Sequence, residues 1–293
     1  MGTFLNSLFI RVLRCGIGLK SEDSRVLELF REYYSQMECD HSGAPDLEYS
    51  IQANGGRSKF HITRKGCSPL LASDDGQLLS IVEKDVTFEL QKLRRDLYFL
   101  HAAALAFSQS AFLLVAPSGG GKSTTTWALL HHGFSYLSDE LSPVDLTTMK
   151  IHSYPRAICL KREPPLAYPL PRNTVRTSRT LHIVPEPSIV SHEPTALRCI
   201  FFLDFTPETP WPVARELSSA EAAARLFAQA LNPLAHPEDG LVGAVAIAQS
   251  IPCVHLQSAD LRLTCDLIKR RLDHLAAAKP SLPATASPSL VSS

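Results

Sequence analysis

The feature that most constrains the fold of this chain is the run APSGGGKS at residues 116–123. It follows the pattern GxxxxGK[ST] except that alanine stands at the first glycine position. A buried apolar strand, SAFLLVAP, precedes it, and an apolar helix, TTTWALLHHGF, follows it. Consecutive glycines let a backbone wrap closely round an anion, and the helix N-terminus adds its dipole. The pattern therefore predicts a strand–loop–helix unit that binds the phosphates of a nucleoside triphosphate.

The side chains after the glycines have distinct predicted tasks. Lys122 is expected to reach the β- and γ-phosphates, and Ser123 is expected to place its hydroxyl on Mg²⁺. Alanine does not adopt positive φ at low cost, so at Ala116 the loop entry is expected to differ slightly from a glycine-led loop. The predicted cofactors are ATP and Mg²⁺, although the loop itself does not read the base. The predicted phosphate-binding residues are Pro117, Ser118, Gly119, Gly120, Gly121, Lys122, Ser123 and Thr124.

Two strands offer an acidic partner for the metal. FSYLSDE ends in Asp139 and Glu140, directly after the loop helix, and CIFFLD ends in Asp204. We favour the adjacent pair, because two neighbouring acids at a strand end can divide two tasks. One can orient Mg²⁺ while the other accepts a proton from an attacking hydroxyl. The predicted metal ligands are Ser123, Asp139 and Glu140; a solvated turn is the alternative for the acidic pair, and a structural or helix-capping role is expected for Asp204.

Residues 1–77 are predicted to form a small mixed α+β module. A helix capped by Asp23 or Ser24 has apolar residues on one face. These residues are Val26, Phe30, Tyr33 and Met37. Two alternating stretches at 47–53 and 58–66, separated by Asn-Gly-Gly, predict a β-hairpin, and Asp-Asp-Gly at 74–76 predicts a further turn.

Residues 78–276 are predicted to form the α/β core that contains the loop. A helix is expected from residue 78 to about residue 100, a buried strand at 199–205 and a helix at 218–231. A last strand, CVHLQ, precedes a final helix, and the proline-rich region 142–194 is expected to be irregular. Residues 277–293 are rich in proline and serine and are predicted to form a disordered tail.

Composition limits the partners and the compartment. Lysine plus arginine and aspartate plus glutamate both number 29, so no overall field draws the chain to nucleic acid or to anionic lipid. Seven dispersed cysteines without a CxxC pair are typical of reduced core thiols in a cytosolic protein. The N-terminal run is interrupted by arginines and lacks a cleavage site, and no apolar stretch is long enough to span a bilayer. The predicted protein is cytoplasmic, with no nucleic-acid or membrane partner.

The stretch from LHAAALAF at residue 101 to LSDE at residue 140 resembles the core of HPr kinase/phosphorylase and its relatives. That family has a histidine before the strand, a GxSGxGKS loop and an acidic pair on the next strand. The arrangement is most similar to the shorter kinases of peptide-modifying gene clusters, such as those for lasso peptides. The resemblance implies an α/β fold with a P-loop kinase core of the HPr kinase C-terminal-domain type. It also implies that a homo-oligomer is one possible assembly of the chain, without specifying the number of subunits.

The resemblance further implies phosphoryl transfer from ATP to a serine hydroxyl of a peptide or small protein. On that basis Asp139 is the general base and Glu140 a metal ligand, where the family usually has a second aspartate. His101 is expected beside the acidic pair, where it would position or polarise the acceptor. The family's acid before Arg-Gly is absent, and Lys161 stands near that place. This departure weakens the case for a reverse, phosphate-releasing reaction and for HPr itself as the acceptor.

A basic stretch at residues 154–182 has two interpretations. It can be a mobile flap that supplies a cation to the transferring phosphoryl group, with Arg156 as the best single candidate. Alternatively, it is a solvated basic loop whose individual arginines contribute little to function. RNA binding is a weaker third interpretation, because only Tyr154 and Tyr168 offer aromatic surfaces. The stretch contains Arg156, Lys161, Arg162, Arg172, Arg176 and Arg179.

Two other functions remain open alongside the serine kinase. One is a regulatory module that senses ATP or hydrolyses it slowly, and the other is a small-molecule kinase with the same loop. The acidic pair discriminates between catalysis and sensing, because a kinase needs a base beside the acceptor hydroxyl. Asp139→Asn should therefore abolish transfer and largely spare ATP binding in a kinase, and should cost a sensor little.

Overall fold

The computed structural model describes residues 6–40, 43–54, 59–206, 208–209, 211–258 and 260–277. The first part of the chain forms a five-stranded sheet, in the order β1-β2-β3-β4-β5, together with two helices. Strands β2 and β3 are parallel, and the other neighbours are antiparallel. The elements are β1 (Asn6–Val12), β2 (Cys15–Ser21), α1 (Ser24–Tyr33), β3 (Leu47–Ala53), β4 (Phe60–Arg64), β5 (Leu70–Ala72) and α2 (Asp75–Leu93).

Two of the predicted elements in this part are confirmed. Helix α1 begins after Asp23, whose side chain accepts a hydrogen bond from the amide of Arg25. Strands β3 and β4 pair antiparallel with Ala53 opposite Phe60, as a hairpin requires. The Asn-Gly-Gly turn that was predicted between them falls partly on residues 55–58, which lie outside the described residues.

The predicted turn at residues 74–76 is wrong, and so are the predicted bounds of the helix after it. Asp74 caps α2 by accepting a hydrogen bond from the amide of Gln77 at 2.8 Å, so the helix begins at Asp75. Aspartate and glycine favour caps as well as turns, which explains the error. The helix ends at Leu93, and residues 98–100 form a strand.

The rest of the described chain builds a larger sheet around β8. The elements are β6 (Tyr98–Leu100), β7 (Ala103–Phe107), β8 (Ser110–Val115), α3 (Lys122–His131), β9 (Ser135–Ser138), β10 (Ser142–Asp145), β11 (Lys150–Ile151), β12 (Ile158–Leu160), β13 (Val175–Arg176), β14 (Leu181–Ile183), β15 (Thr195–Phe205), β16 (Val213–Glu216), α4 (Ser219–Phe227), α5 (Leu241–Ser250), β17 (Cys253–Ser258) and α6 (Leu261–Ala277). The nine-stranded sheet runs β6-β10-β11-β15-β8-β7-β9, with β17 beside β15 and β16 beside β17.

The region predicted to be irregular contains five short strands. Strands β10 and β11 join the nine-stranded sheet, and β12, β14 and β13 form a separate three-stranded sheet in that order. Each of the five has only two to four residues. Runs this short do not establish an alternating pattern, which is why the sequence does not predict them.

The direction of the strands brings one set of loops together. Strands β15 and β17 are parallel to β8, and β9 is antiparallel to β7, which is itself antiparallel to β8. The carboxyl ends of β8, β9, β15 and β17 therefore lie at one edge, together with the beginning of β7. Open α/β sheets bind ligands at such an edge.

The helix α2 shares its core with the N-terminal sheet. Its buried face packs in one apolar cluster with β1 to β4 and α1. Leu141, Tyr154 and Ala157, which lie beyond the phosphate-binding loop, belong to the same cluster. The domain boundary predicted after residue 77 stays a prediction, but these contacts join the N-terminal sheet to the loop-containing part.

The seven cysteines are all free thiols, as predicted. Cys15, Cys199, Cys253 and Cys265 are buried, whereas Cys67 is exposed and is not the core residue that was expected. Among the described residues, none of the helices combines the length and apolar character needed to cross a bilayer. The predicted tail lies outside the described residues except for Ala277, the last residue of α6.

Candidate active site

The glycine-rich loop connects β8 to α3, as the sequence predicts. Gly119 and Gly121 have φ values of 85° and 83°, a conformation that side chains with a Cβ adopt only at a cost. Gly121 is the residue before the first turn of α3. Ala116 is buried and is not among the residues with positive φ. The alanine at the first glycine position therefore does not strain the entry to the loop.

Lys122, Ser123 and Asp139 form a buried polar cluster beneath this loop. The Ser123 hydroxyl donates a hydrogen bond to Asp139 Oδ2 at 2.9 Å. Lys122 Nζ lies 3.5 Å from Asp139 Oδ1, and the side chains are 6% and 0% exposed. Charges this deeply buried are retained only when they are paired or bind a ligand. The loop helix and strand β9 thus supply a lysine, a hydroxyl and a carboxylate to one point.

This cluster fits a magnesium–phosphate ligand. Asp139 Oδ1 is buried and has no hydrogen-bond partner among the described residues. The described residues contain no group of three or more histidine, cysteine, aspartate or glutamate side chains that would hold a metal alone. Mg²⁺ in nucleotide sites does not need such a group, because it keeps water and phosphate ligands and takes one or two from the protein. The donors available at this point are Ser123 and Asp139.

Glu140 has an unusual backbone and a firmly held side chain. Its φ is 75°, in the left-handed region that non-glycine residues rarely adopt and that is found at functional sites. Its carboxylate lies 3.3 Å from the Arg156 guanidinium and is 47% exposed. Glu140 therefore faces solvent directly beside the buried Asp139, with one of its oxygens oriented by an arginine.

Arg156 is a buried residue and does not lie on an exposed flap. Its side chain is 3% exposed, and its Nε lies 2.8 Å from Oε1 of Glu83 on helix α2. It also donates hydrogen bonds to Tyr33 Oη and to the Ala157 carbonyl, each at 2.8 Å. The prediction that Arg156 is a mobile cation donor is inconsistent with these contacts. The guanidinium instead connects Glu140 to helices α1 and α2.

Glu83 is the more buried of the two acids that pair with Arg156. Tyr34 Oη and Tyr154 Oη both donate hydrogen bonds to its carboxylate. Burial raises the pKa of the Glu83 carboxyl, and the positive charge of Arg156 opposes that shift. The sequence gives no sign that Glu83 is buried, because charged residues are expected on the exposed face of an amphipathic helix.

His101 precedes β7 and lies at the same edge of the sheet. Its Nδ1 lies 3.3 Å from Gln229 Oε1, and its backbone amide donates to the Gln229 carbonyl at 2.8 Å. Because an amide oxygen only accepts, this contact places the ring proton on Nδ1 and leaves Nε2 as an acceptor. Burial, and then the charge of Lys122, lower the pKa of His101. The imidazole is therefore neutral at pH 7.

The glycine loop, His101 and Glu140 line one open cavity of about 420 Å³. Lys161 directly follows β12 and was not among the predicted site residues. Its Nζ nevertheless donates a hydrogen bond to Ser118 Oγ at 2.9 Å across the cavity. Arg162 of the same basic stretch also lines the cavity, whereas Arg176 pairs with Glu163 at 2.5 Å. The cavity is lined by His101, Pro117, Ser118, Gly119, Gly121, Lys122, Ser123, Thr124, Glu140, Cys159, Leu160, Lys161, Arg162 and Phe205.

Asp204, the alternative acid, is not part of this cluster. It lies near the end of β15, its side chain is 55% exposed, and His255 Nε2 lies 3.6 Å from its Oδ2. Since Asp204 lies inside a strand, the expected helix-capping role is wrong. The acid bonded to the loop serine is Asp139.

Comparison with known proteins adds little to this geometry. No family model matches the chain, and no curated protein matches it. A solved structure of the HPr(Ser) kinase/phosphatase from Coxiella burnetii matches with a TM-score of 0.32 and 11% sequence identity, over 61% of this chain and 97% of its own. A likeness at this level carries no conclusion about the activity of this chain.

Proposed function

We propose that this protein is an ATP- and Mg²⁺-dependent kinase that phosphorylates a serine hydroxyl of a peptide or small protein. The observation that carries the proposal is the hydrogen bond between the loop residue Ser123 and the buried Asp139, with Glu140 exposed beside it. A structural turn has no need of a buried lysine and carboxylate at its base. A site that transfers a phosphoryl group needs a cation, a metal-binding pair and a base within one cavity.

The phosphate chain of ATP is proposed to lie along the glycine loop. Its backbone N–H groups and the N-terminus of α3 favour anions, and Lys122 offsets charge on the terminal phosphates. Ser123 and Asp139 would hold Mg²⁺. When bound, this ion neutralises charge that develops on the phosphate oxygens. Lys161, which already bonds to the loop, adds a second cation to the same cavity.

We assign the two acids in the opposite sense to that implied by the resemblance. The full burial of Asp139 and its bond to Ser123 favour the metal side of the site for Asp139. The exposure of Glu140 on the cavity favours contact with the acceptor. In this scheme the acceptor hydroxyl transfers its proton to Glu140, its oxygen bonds to the γ-phosphorus, and the bond from phosphorus to the ADP oxygen breaks. The acceptor hydroxyl has one proton, which goes to Glu140, so neutral His101 orients the acceptor by accepting a hydrogen bond through Nε2 from a backbone N–H of the peptide.

The contacts of Arg156 support an acceptor larger than a metabolite. Through this residue the N-terminal sheet and its helices are joined to Glu140. A peptide bound to the N-terminal sheet and its helices would then be connected through Arg156 to Glu140, the proposed base. A role in tailoring a ribosomally made peptide is part of the proposal.

The test is an acceptor screen by mass spectrometry with Mg²⁺-ATP. Serine-containing precursor peptides from the gene neighbourhood, folded HPr and small hydroxyl compounds are incubated with wild type, Asp139→Asn and Glu140→Gln. A peptide that gains one phosphate with wild type and with neither variant supports the proposal. Phosphate on a small compound alone would support the small-molecule kinase. ATP binding without any phosphorylated acceptor would favour the nucleotide sensor.

The two variants also separate the proposed roles. Glu140→Gln should keep Mg²⁺-dependent ATP binding and lose transfer, since only the base is removed. Asp139→Asn should lose transfer together with the Mg²⁺ dependence of binding. Equal Mg²⁺ dependence in both variants would contradict this assignment of roles.

A further inference from the structure

A second cavity opens beside the glycine loop. It has a volume of about 280 Å³ and lies at the carboxyl ends of β15 and β17, against the start of α6. It shares Gly119, Gly121, Thr124 and Phe205 with the cavity that contains Glu140. A ligand that passes along the loop from one cavity therefore enters the other.

The chemistry of the second cavity differs from that of the first. No lysine or arginine is among its described lining residues, so the groups it offers to a phosphate are those of the glycine loop that it shares with the first cavity. Its walls are mainly apolar, and Pro165, Leu203 and Leu261 contribute to them. The carboxylate of Asp204 is its one charged group. Away from the glycine loop, such a lining disfavours anions and accepts an uncharged group that carries an aromatic ring and hydroxyls.

Phe205 is the most informative residue of this cavity. It is 59% exposed, although it directly follows the buried core of the longest strand. A large aromatic side chain left open beside a ligand loop is a surface on which a flat ring can stack. Ser258 and Thr264, which also line the cavity, already bond to each other and to the Asp260 carbonyl. Their hydroxyls have partners within the protein, so the aromatic and apolar surfaces dominate recognition.

We propose that this cavity binds the nucleoside part of the nucleoside triphosphate, with the base stacked on Phe205 and the sugar hydroxyls near Asp204. This inference rests on the proposed function, because it requires the phosphates to lie in the glycine loop. It goes beyond that function in assigning Phe205, Leu261 and Asp204 to the substrate. It also gives Asp204 a role in place of metal binding.

The test compares two ligands that differ only by the nucleoside. ATP and inorganic tripolyphosphate are titrated by calorimetry, with Mg²⁺, into wild type, Phe205→Ala and Phe205→Trp. We expect Phe205→Ala to weaken ATP binding about tenfold, as loss of one base-stacking contact does. Tripolyphosphate binding should not change, and Phe205→Trp should retain ATP affinity. Phe88→Ala is the matched control, since Phe88 is 56% exposed on α2, outside both cavities.

The outcomes separate this inference from the function beneath it. An equal loss of ATP and tripolyphosphate affinity in Phe205→Ala, or no loss of either, would overturn the nucleoside cavity while leaving the phosphate loop in place. Failure of the wild-type protein to bind either ligand would overturn the proposed function and the nucleoside cavity together.

Discussion

Replacement of Arg156 by methionine should strongly destabilise the protein. The substitution keeps an unbranched side chain but removes the only cation that faces the carboxylate of Glu83 in the network described above. The Glu83 side chain is 12% exposed and that of Arg156 is 3% exposed. The substitution therefore leaves a buried acid without its charged partner.

The magnitude follows from the burial of each pair. Removing one partner of a buried ion pair costs about 3–5 kcal/mol of unfolding free energy. The pair with Glu140 adds little, because that carboxylate is 47% exposed and solvent screens it. We therefore expect Arg156→Met to cost about 3–5 kcal/mol, nearly all of it through Glu83. Since total stabilities are about 5–15 kcal/mol, the variant should unfold at much lower urea concentrations.

Urea unfolding of six proteins tests this reasoning by two double-mutant cycles, which share the wild type and Arg156→Met. In a Glu83→Gln background the same arginine substitution should cost about 2–3 kcal/mol less, because no buried charge is left unpaired. In a Glu140→Gln background the cost should change by less than about 0.5 kcal/mol. If Arg156→Met does not fold, the double variant Glu83→Gln/Arg156→Met should regain a cooperative transition. A cost below about 1 kcal/mol, or one that is independent of Glu83, would refute the account.

Two further predictions concern pH and ATP binding. Burial, with repulsion from Arg156, lowers the pKa of His182 to about 4. Below pH 6.5 the unfolded chain binds a proton that the folded chain excludes, so stability falls as pH drops towards 4. His182→Gln should remove about 2–3 kcal/mol of the difference in unfolding free energy between pH 7.5 and 4.5, measured by urea unfolding at both pH values. The same difference in the wild type and in the variant would contradict this. Lys161→Met should weaken ATP binding about tenfold in calorimetry, because it loses a charged contact to phosphate. Lys150→Met, at an exposed position of strand β11, should have no effect, and equal affinities in all three proteins would exclude a role for Lys161.

The parts of the site that the sequence predicts are those encoded locally. A buried strand, three glycines and an apolar helix occupy one continuous stretch, so their order alone places Lys122 and Ser123. Asp139 follows one short strand later, and the parallel direction of β8 and β9 brings it back to the loop. Strand direction and residue type suffice for these positions.

The parts that the sequence does not predict depend on distant contacts. Glu83 meets Arg156 from 73 positions earlier in the chain, and Gln229, which lies two residues beyond the end of α4, meets His101. Neither contact leaves a periodic pattern in the sequence. The hairpin of β1 and β2 was missed for another reason: its turn residues, Leu13 and Arg14, have φ values of 50° and 65° without any glycine or asparagine. A turn of this kind has no signal in residue type.

The central claim is that Ser123 and Asp139 hold Mg²⁺ on the phosphates of ATP in the glycine loop. Calorimetric titration of ATP with and without Mg²⁺ tests it most directly, in wild type, Asp139→Asn and Asp204→Asn. We expect Mg²⁺ to tighten ATP binding at least about tenfold in wild type and in Asp204→Asn, and we expect Asp139→Asn to lose this gain while still binding ATP. Loss of the Mg²⁺ effect in Asp204→Asn but not in Asp139→Asn, or no ATP binding by the wild type, would contradict it.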